Sequence, residues 1–140
     1  MSTRERLPVH AVGDRLPELV VPLDRTAIVA AAIASQDYED VHHDPGKAQE
    51  RGMRDIFISI NSTNGLIDRF VTDWGGPATR IRSVSLRLGV PHFAGDIVTF
   101  GGEVTGLVDG LTTLKVVGRN ELGVHVSATV TLSEHEGNTP

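Results

Sequence analysis

The spacing of apolar positions changes character along this chain, helical in the first half and alternating in the second. Leu19 to Leu23 is a short apolar run that reads as a strand. Asp24 follows it and can cap a helix, since its carboxylate accepts the free N–H groups of a first turn. The helix predicted over Arg25 to Ser35 is rich in small residues, with Ala27, Ala30, Ala31, Ala32 and Ala34. A short helix is predicted over Asp44 to Arg51, stopped by Gly52. A longer one is predicted over Ser59 to Trp74. Its apolar positions Ile60, Ile67, Phe70, Val71 and Trp74 recur at helical spacing, and Gly75-Gly76-Pro77 ends it.

Beyond this helix the pattern is that of strands. Val84, Leu86, Leu88 and Val90 alternate with Ser85, Arg87 and Gly89. Ala94-Gly95-Asp96 turns the chain into a strand over Ile97 to Val104, where Gly101 and Gly102 predict a bend or bulge. Asp109-Gly110 is a tight hairpin signal before Leu111 to Val117. Val124, Val126, Ala128, Val130 and Leu132 form the last alternating set, which puts His125 on the exposed polar face. Helices grouped before hairpin strands imply an α+β fold. The long helix has one strong apolar stripe, buried most simply by a curved antiparallel sheet wrapped around it. That is the hotdog architecture, expected here as a single domain over 1–140 with loose tails at 1–12 and 134–140.

Composition narrows the class. A chain of 140 residues suits one core. A net charge of −5 argues against nucleic acid, whose binders present a basic face. The absence of cysteine removes disulfides, thiolate metal sites and thiol nucleophiles, and fits a cytoplasmic protein. The start of the chain lacks the apolar core of a signal peptide. The longest apolar run, Ala27 to Ala34, is too short to span a bilayer, so no membrane partner is expected.

The candidate chemistry lies in Ser35-Gln36-Asp37-Tyr38-Glu39-Asp40-Val41-His42-His43-Asp44. Asp37 and His42 on one loop can share a water, take its proton and pass a proton on. The competing reading is a solvated loop, since Asp37, Glu39, Asp40 and Asp44 crowd together. His42 and His43 also suggest a metal, but adjacent histidines point to different sides and no second His follows at helical spacing, so no metal is expected. Asn61 to Gly65 puts small polar residues in the first turns of the long helix. Their N–H groups could hold a carbonyl oxygen, or their size could let two helices cross. Arg80, Arg82 and Arg87 could pair with phosphates or protect a sheet edge.

The same string, followed by Ala48 and Gly52, resembles the motif of MaoC-like, R-specific enoyl-CoA hydratases. That motif reads Ser-Gly-Asp-x-Asn-Pro-Ile/Leu-His-x-Asp, then Ala, then Gly. It falls on Ser35, Asp37, His42, Asp44, Ala48 and Gly52, while Gln36, Glu39 and Asp40 depart from it. The resemblance implies that Asp37 and His42 are the catalytic pair. The family's Ile-Ala-His-Gly-Met segment would fall on Phe57-Ile58-Ser59-Ile60-Asn61 without a match. It implies substrate-binding N–H groups at Ile60 and Asn61. Longer stretches resemble the small MaoC-like subunits of actinobacterial steroid side-chain enoyl-CoA hydratases: Asp37 to Asp44, Val71-Thr72-Asp73-Trp74, Leu86 to Pro91 and Val116 to Asn120. This similarity covers about residues 18 to 133. It implies hydration of a steroid enoyl-CoA to a 3-hydroxyacyl-CoA, with CoA entering as part of the substrate and no other cofactor. It also implies a heterotetramer with a larger MaoC-like subunit. A hotdog thioesterase, or a non-catalytic acyl-CoA-binding subunit, would carry many of the same residues.

Overall fold

The structure, a computed structural model, describes residues 10–134. Most of the expected leader (1–9) and of the expected tail (135–140) therefore lies outside the described residues. The elements run β1 (Arg15–Pro22), α1 (Arg25–Ala34), a 3₁₀ turn (Asp40–His42), α2 (Pro45–Glu50), α3 (Ile60–Gly75), then β2 (Thr79–Leu88), β3 (Ile97–Val108), β4 (Leu111–Asn120) and β5 (Gly123–Glu134). The five strands form one antiparallel sheet in the order β1-β3-β4-β5-β2. The expected α+β hotdog is what forms. Among the described residues no helix is long and apolar enough to cross a membrane.

The helices start where the sequence supplies caps. Asp24 accepts the Ala27 N–H, Asp44 accepts the Lys47 N–H, and Ser59 accepts the Ser62 N–H. Inside the sheet, α3 buries Thr63, Ile67, Phe70 and Val71. Of these, Ile67, Phe70 and Val71 join Val98, Phe100, Val104, Leu114, Val116, Val126 and Val130 from the inner face of the strands in one core. Each fully buried side chain of this size contributes about 1.5–3 kcal/mol. The stripe differs from its predicted form at one end: Ile60 is 49 % exposed and Thr63 takes the buried position in the next turn. A smaller cluster of Ile28, Ala48 and Ile56 ties α1 and α2 to the segment before α3.

Each strand pair carries one register irregularity, and together these curve the sheet around the helix. Leu16 pairs with Gly102 and Leu19 with Phe100, so the irregularity of the β1–β3 pair falls where a bend or bulge was expected, opposite Gly101 and next to Gly102. A β-carbon at Gly102 would lie 3.1 Å from the Phe70 ring and 3.2 Å from the Lys115 carbonyl, so this glycine makes room for α3. The hairpin at Asp109-Gly110 forms as expected, with both residues at positive φ (51° and 76°).

The irregularity in the β4–β5 pair corrects a sequence expectation. Gly118 pairs with Val126 and Arg119 with Val124, so His125 stands opposite no residue of β4. The extra residue turns His125 inward, and it is 4 % exposed rather than on the polar face. The end of β2 crosses this bulge, with Gly89 N–H bonded to His125 O (2.7 Å) and Val90 N–H to Val124 O (2.9 Å). A β-carbon at Gly89 would collide with the Val124 carbonyl. Gly89→Ala is expected to cost about 1–3 kcal/mol of stability, the usual range for overpacking, read from the denaturant midpoint.

Candidate active site

The loop that carries Asp37 begins with a well-formed helix stop. Asp37 N–H bonds to Ala32 O (2.9 Å) and Gln36 N–H to Ile33 O (3.1 Å). This is the Schellman pattern, with Gln36 in the left-handed region at φ 57°. Gln36 replaces the glycine of the hydratase motif at a position where glycine costs least. The Ser35 hydroxyl donates to Ala31 O (2.8 Å), which ties down the same turn. These bonds fix the backbone from which the Asp37 carboxylate projects.

His42 is placed by the 3₁₀ turn, and α2 secures that turn. Asp40 O receives the N–H groups of His43 and Asp44, and the Asp40 carboxylate pairs with Arg51 at 3.1 Å. Asp44 caps α2, Ala48 is fully buried in the small cluster, and Gly52 ends α2 at φ 85°. Asp44, Ala48 and Gly52, which match the hydratase motif, thus have structural work in this chain. His43 points away, its Nε2 lying 3.1 Å from Tyr38 O. Among the described residues no three His, Asp or Glu side chains converge as a metal site would require.

The His42 ring is buried against Phe57, edge to face at 4.9 Å between centroids. Its Nδ1 is 2.7 Å from Phe57 O. A carbonyl oxygen only accepts, so Nδ1 carries a hydrogen, and whenever the ring is neutral Nε2 presents the lone pair. That Nε2 lies 3.9 Å from Asp37 Oδ2. The two groups face each other without bonding directly, since a hydrogen bond between them would need about 3.2 Å or less.

Phe57 belongs to a segment clamped between two loops. Its N–H bonds to Val41 O (3.2 Å), Ile58 N–H bonds to His92 O (3.0 Å), and Ala94 N–H bonds to Ile56 O (3.0 Å). Ser59 then caps α3 through the Ser62 N–H. The first two N–H groups, of Ile60 and Asn61, have no acceptor within the helix and none elsewhere among the described residues. A cleft of about 350 Å³ runs between α1 and α3. It is lined by Ala27, Ala31 and Ala34 on one side and Asn61, Ser62 and Gly65 on the other, with Leu23, Ile28, Ile58 and Leu66 below. Ser35, two residues before Asp37, also lines it. The small residues of α3 thus face α1 across the cleft, and the first N–H groups of the helix stay free.

Arg80, Arg82 and Arg87 lie exposed on the edge strand β2, and Arg82 donates to Ser133 Oγ (2.7 Å). Two buried histidines had no sequence signal. His125 Nδ1 is 2.8 Å from Val90 O, and its Nε2 is 2.9 Å from Thr63 Oγ1. His92 is fully buried, with Nδ1 3.0 Å from Asn120 Nδ2 and Nε2 without a protein acceptor among the described residues. Alternation cannot locate a bulge, and His92 lies in a loop, so neither was legible.

Burial pushes both imidazoles below their ordinary value of 6.5. At His92 the neighbouring His125 adds to this, while Asp96 opposes it. Each ring therefore binds a proton less tightly in the folded chain than in the unfolded one. Their contribution to stability is fully present above 6.5 and is lost as pH falls from there to the depressed folded values. Denaturant titrations between about pH 8 and about pH 5 should show falling stability on acidification, with a shallower slope in His125→Gln.

No protein-family model matches the chain. It is 57 % identical over 122 residues to the 3-oxo-4,17-pregnadiene-20-carboxyl-CoA hydratase beta subunit of Mycobacterium tuberculosis, covering 87 % of this chain and 95 % of that one. It superposes on a chain of the ChsH1-ChsH2 complex from the same organism with a TM-score of 0.89 and 55 % identity, covering 91 % of this chain and all of that one. The (R)-hydratase of A. caviae involved in PHA biosynthesis shares the fold, with a TM-score of 0.83 at 22 % identity over 89 % of this chain and 97 % of that one. With the hotdog fold and this extent of identity, the chain belongs to the MaoC-like hydratases, in the family of that hydratase beta subunit.

Proposed function

We propose that this chain is the dyad-bearing subunit of a hydratase that adds water to the double bond of a steroid side-chain 2-enoyl-CoA, giving a 3-hydroxyacyl-CoA. The observation that carries the reading is the 3.9 Å gap between two acceptors, His42 Nε2 and Asp37 Oδ2. Two hydrogen bonds of about 2.8 Å to points that far apart meet at one water oxygen at roughly 90°, close to water's own angle. Both water hydrogens are then engaged and an oxygen lone pair is left to attack.

The water oxygen bonds to the β-carbon. One member of the dyad takes the proton released, and a proton is returned to the α-carbon, so the net change is one water added. Electron density that builds on the thioester oxygen is held by the Ile60 and Asn61 N–H groups at the positive end of α3. No oxidation or reduction takes place overall, so the reading calls for no redox cofactor, and CoA arrives as part of the substrate. Support for a hydratase over a thioesterase comes from the name of the 57 % identical relative.

A larger MaoC-like partner completes the site in this reading. Ile67, Phe70 and Val71 of α3 fill the concavity of the sheet, so a steroid has no room there. The 350 Å³ cleft between α1 and α3 is at the low end of what ligands of that size occupy, about 300–1,000 Å³. The similar solved structure is itself a complex of two proteins. The cytoplasmic location expected for a cysteine-free chain belongs to the same reading.

The test is loss of the ultraviolet enoyl-thioester band with a steroid side-chain enoyl-CoA, using the chain co-purified with its partner. Asp37→Asn and His42→Gln, folded and still assembled, should each lose about 10²–10⁴-fold in turnover. Equal turnover in wild type and variants would move the chemistry to the partner. Release of free CoA without hydroxyacyl product would establish a thioesterase. The chain without its partner is expected to hydrate the steroid substrate far more slowly than the assembly, and equal rates would remove the shared pocket.

A further inference from the structure

The proposed reaction uses Asp37, His42 and the first N–H groups of α3, and leaves one buried polar contact without a role. Thr63 and His125 are both buried and meet at 2.9 Å, joining the first turns of α3 to the bulge of β5. The direction of the bond is fixed by the far side of the ring. His125 Nδ1 faces Val90 O at 2.8 Å, so Nδ1 carries the hydrogen and Nε2 accepts from the Thr63 hydroxyl.

That hydroxyl has a local alternative. A threonine within a helix commonly donates to the carbonyl four residues back, which bends the helix. For Thr63 that carbonyl is Ser59 O, which already receives the Thr63 N–H (3.0 Å) and closes the first turn. His125 draws the hydroxyl toward the sheet instead. The Ser59 hydroxyl meanwhile occupies the Ser62 N–H, so the donors left free are those of Ile60 and Asn61. The direction in which these donors point follows the orientation of the first turn. Four bonds hold the chain before the turn, from Ile58 N–H to His92 O, Phe57 N–H to Val41 O, Ala94 N–H to Ile56 O and His42 Nδ1 to Phe57 O, and the Thr63 bond holds its far side.

We propose that His125 and Thr63 form a positioning pair. Seated in the β5 bulge, His125 orients the first turn of α3 through the Thr63 hydroxyl and so aims the Ile60 and Asn61 N–H groups at the thioester oxygen. This rests on the hydratase reading above. Neither side chain touches the reacting atoms. Donors aimed at an oxygen whose charge grows during the reaction matter more to the transition state than to bound substrate, so misaiming them lowers kcat and leaves KM nearly unchanged.

The experiment measures kcat and KM of the assembly with its partner, by the enoyl-thioester absorbance, at a temperature well below unfolding. Thr63→Val keeps the shape and removes the hydroxyl, and should lower kcat about 10- to 100-fold with KM within about twofold, as small misplacements do. Thr63→Ser restores the donor and should recover most of the loss. His125→Gln places an amide oxygen near the Nε2 position and should keep turnover, whereas His125→Asn keeps the Val90 bond, loses the Thr63 bond and should behave like Thr63→Val. A purely structural contact would lower the denaturation midpoint of Thr63→Val and leave kcat of the folded assembly alone, which would overturn the proposal. If Thr63→Val does not assemble, equal kcat in His125→Gln and His125→Asn overturns it. Absence of turnover in the wild-type assembly overturns the hydratase reading and this proposal together. Turnover in the wild type that Thr63→Val matches overturns this proposal alone.

Discussion

Burial of α3 in the curve of the sheet is the contact on which the other arrangements depend. Ile67, Phe70 and Val71 give up contact with water by lying against Val98, Phe100, Val116 and Val130. Phe70 reaches the strands because Gly102 has no side chain in its way. Once the helix is seated, its first turn has a defined place at one end of the sheet. The segment that leads into it has one as well.

That segment, Ile56 to Ser59, is where fold and chemistry meet. It takes hydrogen bonds from or gives them to Val41, His42, His92 and Ala94. One of these bonds selects the tautomer of the neutral His42 ring, because Phe57 O accepts from Nδ1 and leaves Nε2 as an acceptor. The small cluster of Ile28, Ala48 and Ile56 holds α1 and α2 beside the segment, and with them the two ends of the dyad loop. Asp37 comes from a helix stop and His42 from a 3₁₀ turn, and each geometry is closed by backbone bonds that owe nothing to the dyad. The site is held by its surroundings and requires no direct Asp–His bond to form it.

Much of this was readable residue by residue. Asp24, Asp44 and Ser59 act as caps or helix starts where local hydrogen-bond chemistry places them. Asp109-Gly110 forms its turn because both residues tolerate positive φ. Asp37 and His42 were legible as a pair because five residues separate them on one loop. Ile60 was misread as part of the apolar stripe, and its place in the core belongs to Thr63. Gly101-Gly102 was read as a bend or bulge, which the β1–β3 register shows, while the room Gly102 leaves for Phe70 had no local signal. His125 was read as exposed because strict alternation leaves no room for an extra residue.

The sequence by itself determined the order and type of the elements, the caps that start the helices, and the presence of Asp37 and His42 on one loop. These depend on neighbours within a few positions, where backbone sterics and local hydrogen bonding act. The tertiary structure alone decided the 3.9 Å gap between His42 and Asp37, the tautomer set by Phe57, and the turning of His125 onto Thr63. The last two are contacts between residues 15 and 62 positions apart, and the first depends on the 15-residue contact that holds the His42 ring; such contacts form only when the helix is buried and the sheet has curved around it. No local pattern encodes such contacts, because their energy comes from packing the whole core at once.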